Sequence, residues 1–187
     1  TAQATRGGGG TVGTGQVVGN DNTTFLNESV AGGAVTAYDV SGAPVNLQLR
    51  WAKSDSASLG AGHTDTWNMF YQVNPNATGT QVAWQNANVL STFAANGQLA
   101  PAISSVTLNN AVVNGVSLGS PVINFGSGGV TQFADANGNV QVNQIQQDGF
   151  PAGQLQSVSV STNGRIVGNY TNGRNIDLAE ISVATFN

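Results

Sequence analysis

Chemistry in this chain would have to come from one histidine, nine carboxylates or three tryptophans. His63 is the sole histidine, so it would have to serve as the base of any Ser-His-Asp triad. It lies in a Ser/Asp/Gly/Ala loop with no nucleophile-elbow pattern beside it, and it reads as a solvated loop residue. A histidine-based metal site needs more ligands than this chain offers. Paired carboxylates could serve glycoside hydrolysis. The acidic residues are Asp21, Glu28, Asp39, Asp55, Asp65, Asp135, Asp148, Asp177 and Glu180. Most fall in turn sequences, where an aspartate bonds its own backbone. Asp177 and Glu180 are three apart on one strand and so point to opposite faces. Asp135-Ala136-Asn137-Gly138-Asn139 has the outline of a calcium loop, but its glycine comes too early and no glutamate closes it. A hairpin turn is expected there. Trp51, Trp67 and Trp84 could form a sugar-stacking platform. Trp51 and Trp67 fall in phase with the apolar faces of their strands, which favours a core position. Trp84 has no such explanation. No catalytic, cofactor-binding or metal-binding residue is expected.

The elements around these residues are short strands. Val45, Leu47, Leu49 and Trp51 alternate with Asn46, Gln48 and Arg50, and a period of two places four apolar side chains on one face. Val35 and Ala37 precede them, across an Asp39-Val40-Ser41-Gly42-Ala43-Pro44 turn in which Asp39 and Gly42 are the turn residues. Trp67, Met69, Tyr71 and Val73 alternate likewise. Leu90 to Phe93, Ile103 to Leu108, Val116 to Leu118 and Val122 to Phe125 are further strands, with Asn96-Gly97 as a turn. The last forty residues carry three strand-like runs separated by Asn163-Gly164 and Asn172-Gly173, which predicts an antiparallel meander. No window has an apolar stripe at helical spacing with caps. The expected fold is all-β: two small β-domains of short antiparallel strands, barrel- or sandwich-like, with Gly-rich connections. Residues 1–24 read as a Gly-rich arm or linker, 25–138 as one β-domain and 139–187 as a β-meander. The glycines at 7–19 and 126–129 are expected to permit hinge motion between units.

Composition narrows the function classes. Hydrophobic residues make up 40% of the 187, enough for a core, while charged residues make up only 7%, far below the usual quarter. Asn, Gln, Ser, Thr and Gly supply the exterior instead, a surface with little long-range repulsion that suits packing against copies of itself. The net charge is -4, and the five cations Arg6, Arg50, Lys53, Arg165 and Arg174 are scattered, so a nucleic-acid interface is not expected. No apolar run is long enough to span a bilayer. Cysteine is absent, which removes disulfide and thiolate chemistry. The chain begins at Thr1 without a signal-peptide pattern, and a fragment or processed product is expected.

Two segments together resemble the bacterial flagellar hook protein family. The first is Thr36-Ala37-Tyr38-Asp39-Val40-Ser41-Gly42-Ala43-Pro44, leading through Leu47, Leu49 and Trp51 to Lys53, with Trp67, Tyr71 and Phe93 to Leu99 fitting the same middle domain. The second runs from Gln147-Asp148-Gly149-Phe150-Pro151-Ala152-Gly153-Gln154-Leu155 through Asn163-Gly164, Gly168-Asn169-Tyr170 and Asn172-Gly173 to Phe186. It is similar to a signature shared with axial rod proteins, so the first segment is what points to the hook. The family's terminal helices are not in this chain. The resemblance implies a structural, non-enzymatic subunit without cofactors, self-assembling into a flexible extracellular tube that transmits motor torque to the filament. It implies copies of itself as partners, with hook-cap and hook-filament junction proteins, and a monomeric isolated fragment. The implied turn and motif residues are Asp39, Gly42, Gly97, Asp148, Gly149, Gly153, Asn163, Gly164, Gly168, Asn172 and Gly173. A distal-rod-type axial protein and a carbohydrate-binding or adhesin-like β-module are the alternatives. A row of coplanar exposed aromatics would favour the latter.

Overall fold

The computed structural model describes residues 15–126, 129–132 and 145–181. The described chain is all-β, in several small antiparallel sheets, as the alternation in the sequence implies. Five strands form the main sheet in the order β1-β5-β4-β3-β2: β1 (Gln16–Val18), β2 (Ser29–Tyr38), β3 (Pro44–Asp55), β4 (Thr66–Gln72) and β5 (Val82–Thr92). Two nested hairpins follow. β6 (Ser105–Thr107) pairs with β9 (Val122–Asn124), and between them β7 (Ala111–Val113) pairs with β8 (Val116–Gly119). A meander of β10 (Leu155–Val160), β11 (Arg165–Tyr170) and β12 (Asn175–Glu180) makes a separate three-stranded sheet.

The alternation in β3 is realised as burial. Leu47, Leu49 and Trp51 lie on one face of the main sheet with Met69 and Tyr71 of β4, and the nested hairpins cover them with Val106, Leu108, Ala111 and Val113. β4 is buried on its other face too. There Phe70 joins Val17, Phe25, Ala52, Ala83 and Trp84 in a second core. Phe25 sits edge-on to Phe70 with ring centroids 5.0 Å apart and lies 5.5 Å from the Trp84 ring. Trp84, unexplained in the sequence, is thus a core residue. Its indole Nε1 donates to Asn22 Oδ1 at 2.8 Å, which satisfies the polar end of a buried ring.

Residues 15–24 differ from the arm expected over 1–24. β1 is an edge strand paired with β5, Val17 opposite Trp84, and a short helix α1 (Asn22–Asn27) follows it. Gly19 reads as flexible in sequence but is a close-packing position, where a Cβ would lie 2.6 Å from Thr78 Cα. Residues 1–14 and 127–128, which carry the rest of the expected arm and hinges, lie outside the described residues, as does the turn expected at 135–139. Helix α1 is only six residues long and gains its stability from tertiary contacts. Its last carbonyls are satisfied from the sheet. Ser29 Oγ donates to Phe25 O at 2.6 Å, and Arg50 donates from Nη2 to Leu26 O at 3.0 Å and from Nε to Ser29 Oγ at 2.7 Å.

Phe25 is fully buried, so Phe25→Ala should cost about 3–5 kcal/mol of unfolding free energy in a urea titration followed by tryptophan fluorescence. A loss below about 1 kcal/mol would mean that α1 lies outside the cooperative unit.

Candidate functional site

The ionisable residues cluster in the loop between β3 and β4. His63 Nδ1 meets Asp55 Oδ1 at 2.8 Å, and the same carboxylate oxygen accepts from Ser56 N at 2.8 Å. Asp65 accepts from Lys53 Nζ at 2.9 Å, from Ala57 N at 2.9 Å and from Ser56 Oγ at 3.2 Å. The Lys53 ammonium lies 5.3 Å above the Trp67 ring. His63 is exposed, and Asp55 is the side chain it bonds. Hydrogen bonds from the His63 ring and from main-chain N–H groups lower the Asp55 pKa. The Lys53 ammonium, then the Ala57 amide, pull Asp65 down to about 2. Both carboxylates therefore tie down a loop. A general acid would need a raised pKa instead. An open surface depression of about 430 Å³ borders this loop, lined by Thr64, Asp65, Phe93, Ala94 and Gln132, and Asp65 is already held there by its own hydrogen bonds.

The other carboxylates among the described residues are dispersed. Asp39 Oδ1 accepts from Ser41 N and Ala43 N, each at 2.8 Å, and from Ser41 Oγ at 2.6 Å. The Ser41 hydroxyl, followed by the main-chain donors, lowers the Asp39 pKa. Asp177 pairs with Arg165 across β11 and β12. Among the described residues no group of three His, Cys, Asp or Glu side chains could hold a metal ion. Trp51 and Trp84 are buried and Trp67 is half-buried under Lys53, so the tryptophans form no exposed stacking row.

The surface with functional character is the three-stranded sheet. Its register places Val158 opposite Gly168 and Gly168 opposite Ile176, while Val160 faces Ile166. Leu155 and Leu178 close over Gly168, where a Cβ would lie 2.9 Å from Leu178 Cδ1. One face is consequently apolar: Leu155, Val158, Val160, Ile166, Ile176 and Leu178. It is largely open to solvent, with Val160 at 62% exposure. The opposite face is polar, with Asn169 Nδ2 donating to Ser157 Oγ at 3.1 Å and Arg165 on Asp177. A contiguous exposed apolar face of this kind is unusual on a folded protein. The strands are legible in the sequence but their shared face is not. The alternation of Val158 and Val160 with Ser157, Ser159 and Ser161 was the available signal.

Several expected turn residues lie together. Gly42, at φ +79 in the β2–β3 turn, packs against Ala152. Gly149 lies against Tyr38, and Gly153 lies against Asn172. Gly173 follows in the β11–β12 turn and donates from its N–H to Tyr170 O at 3.0 Å. Gly97 and Gly164 stand in separate turns, with Asn163 beside Gly164, and Asp148 is exposed in the connection before β10.

The family model described as the flagellar basal body protein FlaE D2 domain matches residues 19–150. A flagellar hook protein of Borreliella burgdorferi is 40% identical over 57 residues, which cover 30% of this chain and 12% of that protein. A crystal structure of a Helicobacter pylori flagellar hook protein is similar at a TM-score of 0.43 and 20% identity, over 82% of this chain and 32% of that one. The chain thus spans a small part of one relative and about a third of the other.

Asp65 contributes to the pH dependence of stability. Its folded pKa of about 2 lies below the 3.8 of an unperturbed aspartate, so its contribution is present above about pH 4 and lost as the pH falls toward about 2. Asp65→Asn should lower the thermal midpoint at about pH 7, and the gap to the parent should close by about pH 2. A gap of constant size across that window, followed by circular dichroism, would assign the effect to packing.

Proposed function

The chain belongs to the flagellar basal body protein FlaE D2 domain family, and from that premise we propose that it is the β-region of a structural subunit of the bacterial flagellar hook. In this reading the whole protein polymerises with copies of itself into an extracellular tube that bends while carrying motor torque to the filament. Hook-cap and hook-filament junction proteins are its further partners. The observation that carries the proposal is the family match across most of the main sheet and the nested hairpins. Physical chemistry supports it. Among the described residues Asp39 and Asp65 tie down a turn and a loop, and Asp177 pairs with Arg165 across two strands. The exterior is rich in uncharged hydrogen-bonding side chains, which form wet contacts that tolerate small shifts. The apolar face of the β10–β12 sheet supplies what such a surface lacks, a strongly desolvating contact between subunits.

Electron microscopy of the full-length gene product is the direct test, with curved tubes expected and persistent monomers counting against the reading. Within that assay Val158→Glu or Val160→Glu should abolish tube formation, because either buries a charge in the contact. Ser159→Glu, on the polar face, should leave it largely intact. Tubes of normal yield from the Val160 variant would remove the apolar face from the assembly.

A further inference from the structure

Residues 149–154 pass between the two sheets without regular structure, yet they are held on both sides. On one side is the β2–β3 turn. Gly42 O accepts from Ala152 N at 3.1 Å, and a Cβ on Gly42 would lie 2.6 Å from Ala152 Cα. Glycine is required there twice over, for the positive φ of +79 and for this backbone-to-backbone approach. The turn cannot easily give way, because Asp39 ties down Ser41 and Ala43. Gly149 lies against Tyr38 of β2, where a Cβ would be 3.0 Å from Cδ2.

On the other side is the β11–β12 turn. Asn172 Nδ2 donates to Pro151 O at 2.8 Å. Gly153 leaves room for that side chain, since a Cβ would come within 2.6 Å of Nδ2. Thr171 completes the grip: Gln154 N donates to its Oγ1 at 2.9 Å, and its own N–H donates to Gln154 O at 2.9 Å. Arg174 stacks 5.1 Å from the Phe150 ring.

We infer that residues 149–154 are a clasp that holds the three-stranded sheet and the five-stranded sheet in one relative orientation, rather than a free linker between them. A hinge absorbs motion at positions whose contacts can be exchanged. Here two main-chain hydrogen bonds, Ala152 to Gly42 and Thr171 to Gln154, are flanked by side-chain contacts from Tyr38, Asn172 and Arg174, a close-packed arrangement that does not deform continuously. Bending between the two sheets is therefore blocked at this point. The clasp goes beyond the assembly reading and stands whether or not the chain forms tubes.

The test uses the 187-residue chain, which has no cysteine, so two introduced thiols can be labelled uniquely. Asn76→Cys beside the main sheet and Gln156→Cys on β10 are both exposed positions. Dipolar spectroscopy of the doubly spin-labelled chain should give one narrow distance distribution. Gly42→Ala should broaden it at least roughly twofold or split it, as the clasp is forced open. Gly79→Ala is the control. Its φ is +56 and nothing lies within 4 Å of its Cβ, so it carries the backbone strain without the clash and should leave the width unchanged. A broad distribution in the parent overturns the clasp, and so does a folded Gly42→Ala chain as narrow as the parent. Should Gly42→Ala fail to fold, Asn172→Ala decides in its place, with broadening expected and an unchanged width overturning the clasp.

Discussion

The central strand β4 buries both of its faces, and most of the main domain follows from that demand. A sheet covered on one side needs one partner layer, and this one needs two. Met69 and Tyr71 point to the nested hairpins, while Phe70 between them points to Phe25 and Trp84. Each layer on its own would be too small to fold. Helix α1 has six residues and β6 to β9 have three or four each. They persist because each closes a core that the sheet has already half built. The same demand explains Arg50, a cation between two strands whose guanidinium satisfies the carbonyls at the end of α1. Burial pulls its pKa down without removing its role as a hydrogen-bond donor.

Low charge shapes what the rest of the molecule can do. With few ions available, those among the described residues are used locally: the Lys53–Asp65 pair and the His63–Asp55 hydrogen bond close one loop, and Arg165 on Asp177 bridges two strands. Such exposed pairs contribute little to global stability but fix local geometry. Elsewhere, amide and hydroxyl side chains take over the capping of turns, as Asn74, Asn96 and Asn172 do. A surface of this kind neither repels copies of itself nor grips them tightly. The apolar face of the β10–β12 sheet is of opposite character to that surface, and what it can meet depends on how firmly the sheet is presented. The clasp proposed at 149–154 bears on that presentation, since it holds the amphipathic sheet against the β2–β3 turn.

The all-β class, the strands β2 to β4, the meander and the tight turns were legible in the sequence, because alternation and Asn-Gly or Asp-x-x-Gly turns are local signals with a period of two and a fixed loop length. Leu47, Leu49 and Trp51 are buried as their spacing requires. The start of β5, the edge strand β1 and the helix α1 were not legible. Val17-Val18 between glycines carries no period, and Phe25 is the one apolar anchor that α1 buries. Trp84 follows Val82-Ala83 and precedes Gln85-Asn86, and only its neighbours Phe25, Phe70 and Asn22, distant in the chain, account for it.

By itself, then, the sequence determined most of the longer strands, many of the chain reversals and that the exterior would be nearly uncharged. Those properties depend on neighbours a few residues apart. Tertiary structure decided which sheet face is covered and which is left bare, that three distant aromatic residues form a second core, and that Gly42 meets Ala152 while Asn172 meets Pro151. Each of those pairings joins segments tens to more than a hundred residues apart. No local periodicity encodes such contacts, because they are selected by the burial and the hydrogen bonding of the whole chain at once.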